Sequence, residues 1–251
     1  MPKKTLAPAI GAGVVGLVLL VLAGRGIVGS GSVGTPGTTP TTQAAASQVA
    51  GTGSAASRGA LAAAQLLTVK GRAPMTGYAR GLFGDGWVDT DHNGCDTRND
   101  ILRRDLTRVI FRAGTHDCVV ASGTLADPYT GTTINFVRGL TTSEAVQIDH
   151  VVALGDAWQK GAQQWTTATR VAFANDPLEL LAVSGPANQQ KGDADTATWL
   201  PPNKAFRCAY VARQVAVKRK YGLWVTAAEK QAMTRVLSAC PTQALPTGAS
   251  R

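Results

Sequence analysis

The chain has 251 residues, which is enough for one sizeable domain with accessory segments. Its 44% content of hydrophobic residues allows a packed core and excludes a wholly disordered chain. The net charge is +9. Lys3, Lys4 and Arg25 are the charged residues before position 58, which leaves 22 basic and 16 acidic residues in the body. A basic body suits a polyanionic partner such as nucleic acid, although the same charge also serves solubility.

The first 28 residues have the pattern of an export signal. Lys3 and Lys4 precede an apolar run from Leu6 to Ala23, as in a signal peptide. The run also reaches the roughly 18–20 residues that span a bilayer, so a cleaved signal and an uncleaved membrane anchor both stay open. Either alternative predicts a secreted or extracytoplasmic protein, with the membrane as a partner only through this segment.

The composition then changes twice. Residues 29–57 are mostly Gly, Ser, Thr, Ala and Pro, and such a stretch predicts a flexible linker because it cannot bury enough apolar surface to fold. Residues 58–251 look globular and are predicted to form the functional domain.

A helix and a hairpin are the first elements predicted in this domain. The helix spans residues 98–113, with Thr97 as its cap and Gly114 at its end. Its apolar face is formed by Leu102, Leu106, Val109, Ile110 and Ala113. Residues 117–137 hold two apolar runs around the turn ADPYTG, which predicts a β-hairpin.

Two antiparallel helices are predicted at the end of the chain. One covers residues 203–220 and ends at Gly222. The other begins at Thr226, where Thr226 and Glu229 form a capping box, and ends near Cys240. Cys208 and Cys240 both lie roughly 18–20 Å from the connecting turn, which favours a disulfide between them.

The other two cysteines are then predicted to pair as well. A bridge from Cys95 to Cys118 would join the start of the first helix to the first strand, and an even cysteine count in an exported chain favours disulfides. No two cysteines have CxxC spacing and the three histidines are scattered, so a zinc site is not expected.

The chemistry is expected at the stretch QIDHVVAL, residues 147–154. It predicts a strand that ends in Asp149 and His150. Neighbouring side chains of a strand point to opposite faces, so one can hold a metal ion while the other addresses a water molecule.

A second strand and a helix follow about thirty residues later. The strand is predicted at Leu178, Leu180 and Leu181, and a Gly-Pro turn then leads into a segment that carries Asn188 and Lys191. Two strands followed by a helix with a polar ligand are the layout of the ββα-metal nuclease motif.

With these motifs the chain resembles the HNH endonucleases, and specifically an exported bacterial group related to the C-terminal domain of GmrSD-type restriction enzymes. The resemblance runs from about Tyr78 to Cys240. A lone Asp-His pair is common, but the ordered set over this length is specific. Its members are NGCDTRND (93–100), DPYTG (127–131), DHVVALGDAW (149–158), FANDPLELLAV (173–183), PANQQKGD (186–193) and ATWLPPNK (197–204).

The resemblance implies an α+β fold with a ββα-metal (His-Me finger) core, surrounded by helices and the hairpin, with two disulfides. It implies an endonuclease acting on DNA, with RNA as the alternative, in which His150 is the general base on a water molecule. Asp149 and Asn188 would hold a single Mg²⁺ or Mn²⁺ ion. Lys191 and Arg170 would contact phosphate.

One position departs from the family pattern. The middle residue of HNH is an Asn about nine residues before the last ligand, where it braces the His loop, but Glu179 stands there. A carboxylate accepts hydrogen bonds but does not donate them. Asn175 could brace the loop instead, and we favour it because it precedes the turn Asp176-Pro177.

A competing interpretation is a non-catalytic envelope protein that uses the same fold as a binding or calcium-stabilised module, and the departure at Glu179 is its main argument. A separate segment has the ligand spacing of an EF-hand loop and could bind calcium. The ligands would come from Asp89, Asp91, Asn93 and Asp100. An Asx-rich turn before the first helix explains the same pattern.

Overall fold

The computed structural model of the protein describes residues 59–247. The predicted signal segment and the linker lie outside these residues. Within residues 59–247, no helix is both long and apolar enough to cross a membrane.

The described residues alternate between helices and strands in a mixed α+β order. The helices are α1 (Ala60–Gln65), α2 (Thr97–Asp105), α3 (Leu154–Gln159), α4 (Thr167–Ala174), α5 (Gly185–Lys191), α6 (Arg207–Tyr221) and α7 (Ala227–Ser238). The strands are β1 (Leu106–Phe111), β2 (Val120–Ala126), β3 (Thr133–Val137), β4 (Val146–His150) and β5 (Leu180–Ser184). Short 3-10 helices cover Arg80–Phe83, Ser143–Ala145, Ala162–Gln164 and Lys204–Phe206.

The predicted hairpin is confirmed as β2 and β3, but it belongs to a three-stranded antiparallel sheet of order β1-β2-β3. The predicted helix over 98–113 is wrong in its second half, because the chain leaves α2 at Asp105 and continues as β1. Its cap is Asp96, whose carboxylate accepts the Asn99 N–H at 2.8 Å, and not Thr97.

A β-bulge explains why the sequence pattern predicted a helix where β1 lies. The register of β1 against β2 shifts between Thr107 and Ile110, and Arg108 lies there with a φ of 52°. The extra residue breaks the period-2 alternation that identifies a strand and leaves apolar residues at helix-like spacing. Gly123 of β2 permits the close approach, since a Cβ there would lie 2.7 Å from Leu106 Cδ2.

The second sheet consists of β4 and β5, which run antiparallel with Asp149 opposite Leu181 and His150 opposite Leu180. Leu178 lies before this strand and not in it. The helix α5 follows directly, and the Ser184 side chain caps it.

The two predicted C-terminal helices are confirmed as α6 and α7. Gly222 ends α6 in the left-handed conformation, with a φ of 66°, as glycine does readily. Thr226 caps α7 by accepting the Glu229 N–H at 3.1 Å. The Glu229 carboxylate does not return to the cap. It forms ion pairs with Lys160 and Lys218 instead.

Both predicted disulfides are confirmed. Cys95 is bonded to Cys118 and Cys208 to Cys240, with Cα–Cα distances of 5.0 and 6.4 Å. The first joins the segment before α2 to the start of β2, and the second joins α6 to the residues after α7.

Three apolar clusters surround the second sheet. One lies among α1, α6 and α7 and includes Val183 of β5. Another lies among α3, α4 and the Arg80–Phe83 turn and includes Trp158. The third packs Ile148 of β4 against α2 and the first sheet. The end of β4 is therefore fixed from several sides.

Candidate active site

Asp149 and His150 point to opposite faces at the end of β4. The Asp149 carboxylate is buried and accepts hydrogen bonds from the Tyr129 hydroxyl and from Lys191 Nζ, the latter at 2.8 Å. The His150 ring faces the other way, toward Trp87 and the end of α4. The two side chains therefore have separate surroundings.

One hydrogen bond determines which nitrogen of the His150 ring carries the hydrogen. Its Nε2 lies 2.9 Å from the carbonyl oxygen of Ala174. Because a carbonyl oxygen only accepts, Nε2 carries the hydrogen, and in the neutral ring Nδ1 keeps its lone pair. Burial lowers the pKa of His150 to about 3, and the positive charges of Arg80 and Lys191 act in the same direction. The ring is thus neutral near pH 7, with its free lone pair on Nδ1.

The His150 ring lines a pocket of about 360 Å³. The Trp87 ring stacks on it with the centroids 5.7 Å apart and the planes 9° from parallel. Leu154 and Ala174 form part of the wall, and most of the remaining lining comes from residues 80–87.

Burial also sets the charge state on the opposite face. It raises the pKa of Asp149, although the Lys191 ammonium opposes this shift. It raises the pKa of Tyr129 too, and the neighbouring Asp149 charge adds to the effect, so Tyr129 stays protonated and donates to Asp149.

Glu179 holds the loop that follows His150. Its two carboxylate oxygens lie 3.0 and 3.2 Å from the Val152 nitrogen, and its backbone carbonyl accepts the Val151 N–H at 2.9 Å. The side chain is fully buried, and burial raises its pKa well above the usual value.

Asn175, which we favoured as the brace, contacts a different segment. Its Oδ1 accepts the Val88 N–H at 3.1 Å, and its Nδ2 donates to the Val171 carbonyl at 3.0 Å. Asn175 therefore fixes the residue next to Trp87 and not the loop after His150. The chain turns between the two residues, with the Glu179 N–H donating to the Asp176 carbonyl at 2.9 Å, and the two side chains still reach different partners.

Two residues of α5 face β4, as the sequence pattern predicts. Asn188 Nδ2 donates to Gln147 Oε1 at 2.9 Å, and no hydrogen bond from the described residues reaches Asn188 Oδ1. Lys191 is buried and donates both to Asp149 and to the His150 carbonyl, the latter at 2.7 Å. The expectation that Lys191 contacts phosphate is not met here, because its ammonium is enclosed within the protein.

Arg170 is likewise turned away from a phosphate role. Its Nε donates to the Leu82 carbonyl at 3.0 Å, and NH1 donates to the Trp165 carbonyl at 2.6 Å. The guanidinium also lies 5.9 Å from the Trp158 ring centroid. These contacts fasten the Arg80–Phe83 turn to α4.

The ligands expected for Mg²⁺ or Mn²⁺ do not form a ready site. Both Asp149 oxygens accept hydrogen bonds, and a lysine ammonium stands on one of them. Among residues 59–247, no group of three or more His, Cys, Asp or Glu side chains is arranged to hold a metal ion. Asp149 fits a divalent cation only once Lys191 has moved away.

The candidate calcium loop, residues 89–100, is cross-linked by hydrogen bonds among its own residues. Asn93 Nδ2 donates to Asp91 at 3.1 Å and to Asp100 at 3.2 Å, while Asp89 accepts the N–H groups of Asn93 and Gly94. This is the Asx-rich turn that the sequence offered as the other explanation.

A comparison with known protein families shows which family the chain belongs to. Residues 96–236, more than half of the chain, match the family called GmrSD restriction endonucleases, C-terminal domain. The chain belongs to this family. The relation to the GmrSD C-terminal domain that the sequence motifs indicated is thereby confirmed, and it suggests a nuclease-related function. The matched GmrSD region contains Asp149, His150 and α5, and it begins after Trp87.

A curated relative extends the comparison beyond the GmrSD match. A protein of Arthroderma benhamiae, named as an uncharacterized secreted protein, is 41% identical over 176 residues, which cover 69% of this chain and 81% of the relative. The sequence resemblance pointed to a bacterial group, whereas this relative is fungal. No solved structure matches the chain.

The sequence analysis did not identify three residues that surround the candidate site. Tyr129 donates to Asp149, Trp87 stacks on His150, and Arg80 lines the pocket. Tyr129 lies inside the quoted motif DPYTG, so a signal for it was present. For Arg80 and Trp87 the sequence holds only the glycine-rich run RGLFGDGW, which does not identify a role.

Proposed function

We propose that the chain is an exported endonuclease that hydrolyses phosphodiester bonds in DNA, with His150 as the general base. The observation that carries this proposal is the hydrogen bond from His150 Nε2 to the Ala174 carbonyl, in a ring that lines a pocket. It leaves Nδ1 to take the proton of an attacking water molecule. Membership of the GmrSD C-terminal domain family supports nucleic acid as the substrate.

Each neighbouring group has a part in this proposal. Trp87 stacks on the His150 ring, and the Ala174 carbonyl accepts a hydrogen bond from its Nε2. Glu179 holds the loop that follows His150. Hydrolysis needs only water and the phosphodiester. The water proton passes to Nδ1 as the water oxygen bonds to phosphorus, the bond from phosphorus to the leaving ester oxygen breaks, and that oxygen takes a proton from solvent.

An extracytoplasmic location is part of the proposal. The fungal relative is named as secreted, and both pairs of cysteines are oxidised in the structure. Disulfides persist mainly in oxidising compartments.

The first test is plasmid nicking by the full oxidised chain. His150→Ala should lower the rate about 10²- to 10⁴-fold, which is the usual share of a general base. The matched control is His116→Ala, which changes an exposed histidine in the turn between β1 and β2 and should nick like the wild type. An unchanged rate in His150→Ala would exclude His150 as the base. A parallel assay on RNA of the same sequence tests the choice of DNA.

Dependence on Mg²⁺ or Mn²⁺ is a separate proposal, with Asp149 and Asn188 as the ligands. The unused Asn188 Oδ1 and the carboxylate of Asp149 supply the hard oxygens that these ions prefer. When bound, such an ion would stabilise charge that develops at the phosphate. In this structure the Lys191 ammonium lies 2.8 Å from Asp149 Oδ1, so the ion would bind only after Lys191 has moved.

Metal removal and a pair of variants test this second proposal. EDTA should abolish nicking, and excess Mg²⁺ should restore it. Asn188→Leu should raise the Mg²⁺ concentration needed for half-maximal rate, because it removes a ligand oxygen. Gln147→Leu breaks the same Asn188–Gln147 hydrogen bond but leaves that oxygen in place, so its Mg²⁺ requirement should stay near the wild-type value. Full activity in EDTA would refute the metal proposal while leaving the role of His150 intact.

A further inference from the structure

We propose that the segment Arg80–Trp87 completes the His150 site, with Arg80 binding a phosphate group of the nucleic-acid strand and Trp87 holding the His150 ring for proton transfer. The inference rests on the proposed nuclease function. It concerns residues that precede the part of the chain matched by the GmrSD family, residues 96–236.

The wall of the His150 pocket is made mostly by this segment. Of the residues that line the His150 pocket, most come from residues 80–87, and only His150, Leu154 and Ala174 come from the matched region. A substrate group next to His150 would therefore touch this segment. Without it, the side of the ring away from the core would be open to solvent.

The guanidinium of Arg80 is available to bind a phosphate group. Arg80 is exposed, and no hydrogen bond or ion pair joins its guanidinium to another residue of the described chain. The two cations that the sequence assigned to phosphate are not available, since Lys191 is held by Asp149 and Arg170 by backbone carbonyls. A planar guanidinium binds phosphate oxygens in pairs. Arg80 is thus the arginine at the pocket that can bind phosphate.

Hydrogen bonds hold the segment Arg80–Trp87 in place at both ends. Arg170 donates to the Leu82 carbonyl at 3.0 Å, which fixes the turn that carries Arg80. At the other end, the Val88 N–H donates to Asn175 at 3.1 Å, and the Val88 carbonyl accepts the Thr97 N–H at 3.1 Å. A binding group on a fixed segment loses little freedom when the substrate binds.

Two glycines let the segment pass close to α4. Gly84 has a φ of 105°, and a Cβ there would lie 3.3 Å from Val171 Cγ2. Gly86 has a φ of 144°. A residue with a side chain would be strained at either position, so the course of this segment depends on glycine.

Trp87 has a different task from Arg80. Its ring covers one face of the His150 imidazole, and the Ala174 carbonyl fixes the Nε2 edge. Together these two contacts restrict the orientation of the His150 ring. Trp87 is therefore a positioning residue that acts through His150.

Binding without hydrolysis tests Arg80. The full chain is titrated into a fluorescein-labelled DNA duplex in EDTA, and anisotropy gives the dissociation constant at several salt concentrations. Arg80→Ala should weaken binding about tenfold or more and lower the slope of log affinity against log salt by about one. Arg235→Ala, which removes an exposed arginine on α7, should bind like the wild type.

A variant within the same segment separates charge from folding. Asp85 also lines the pocket, so Asp85→Asn removes a negative charge without removing the segment. It should bind DNA at least as tightly as the wild type. Weaker binding by both Arg80→Ala and Asp85→Asn would mean that only the fold of the segment matters, which overturns the assignment of Arg80.

Steady-state nicking tests Trp87. Trp87→Ala should lower kcat about 10- to 100-fold through misplacement of the base while KM changes little. Trp87→Phe keeps a stacking ring and should recover most of the rate. Arg80→Ala should show the opposite split, with KM raised and kcat nearly kept. A Trp87→Phe variant no better than Trp87→Ala would overturn the positioning role.

The outcomes distinguish this inference from the function on which it rests. A chain that cleaves DNA, but whose Arg80→Ala variant binds and cleaves like the wild type, overturns the inference alone. A wild-type chain that neither binds nor cleaves overturns both.

Discussion

Backbone atoms orient His150 more than side chains do. The Ala174 carbonyl accepts from Nε2, and the N–H groups of Val151 and Val152 tie the loop to Glu179. A main-chain partner cannot be replaced by substitution, so the tautomer of the ring is fixed by the fold itself. Asp149 differs from His150 in this respect, because its partners are the side chains of Tyr129 and Lys191.

The position of Glu179 leads to a prediction at this scale. Glu179→Ala leaves the Val152 N–H buried and unpaired, which should cost about 1–3 kcal/mol of stability and lower the nicking rate by displacing the His150 loop. Glu179→Gln keeps an acceptor oxygen, and burial already disfavours the charge of the native carboxylate. The glutamine variant should therefore retain most of the activity. The measurement is the nicking rate beside the unfolding free energy of each variant.

Asn175→Ala serves as the comparison for Glu179. It frees the Val88 N–H and should loosen Trp87 instead of the loop, so its rate should fall together with that of Trp87→Ala. Should Glu179→Gln be as damaged as Glu179→Ala, a negative charge at this position would be needed, and our account of the brace would be wrong.

At the scale of elements, a buried ion cluster joins three helices. Lys160 just after α3 and Lys218 of α6 are fully buried, and both pair with Glu229 of α7, at 2.6 and 2.9 Å. Asp156 of α3 pairs with Lys218 at 2.9 Å, and Lys160 also reaches Asp195 at 2.8 Å. The two lysines lower the pKa of Asp156 against the effect of burial. The helices that support the site are thus held in one relative arrangement.

Glu229→Gln should destabilise the protein by about 3–5 kcal/mol, because it leaves two buried ammonium groups short of negative charge. The free energy of unfolding, from urea titration of the oxidised chain, measures the loss. The control is Glu144→Gln, an exposed glutamate near the start of β4, which should change stability by less than about 0.5 kcal/mol. Equal stabilities for the two variants would show that the cluster does not hold the helices together.

At the scale of the whole molecule, the disulfides join parts that are distant in the chain. Their sequence separations are 23 and 32 residues. One fixes the region between Trp87 and the first sheet, and the other fixes the C-terminal end against α6. Each bridge should contribute about 2–4 kcal/mol by limiting the unfolded chain.

Reduction should therefore lower the melting temperature by about 10 °C or more, since each kcal/mol corresponds to about 2–4 °C in a domain of this size. Differential scanning calorimetry with and without reductant measures this change. A variant with all four cysteines replaced by serine should not respond to reductant. A melting temperature that stays the same on reduction of the wild type would contradict the expected contribution of the bridges.

The sequence by itself determined the features that depend on local spacing. The helices α6 and α7, the glycine that ends α6 and the threonine that caps α7 follow from residues close together in the chain. The pairing of Cys208 with Cys240 follows from two helices of similar length across a short turn. The family followed from motifs whose order the chain preserves, including the pair Asp149 and His150.

Only the tertiary structure decided which partners the charged and polar side chains meet. The sequence assigned Arg170 and Lys191 to phosphate binding and Glu229 to a capping box, yet backbone carbonyls and buried counter-charges engage all three. The strand β1 likewise became a strand because β2 pairs with it across a bulge. A long polar side chain or an unpaired strand edge can form hydrogen bonds or ion pairs with many different groups. Spacing in the sequence does not determine which of these groups the fold places next to it. For the same reason Arg80 and Trp87 gained a place beside His150 only when the fold brought the segment across α4.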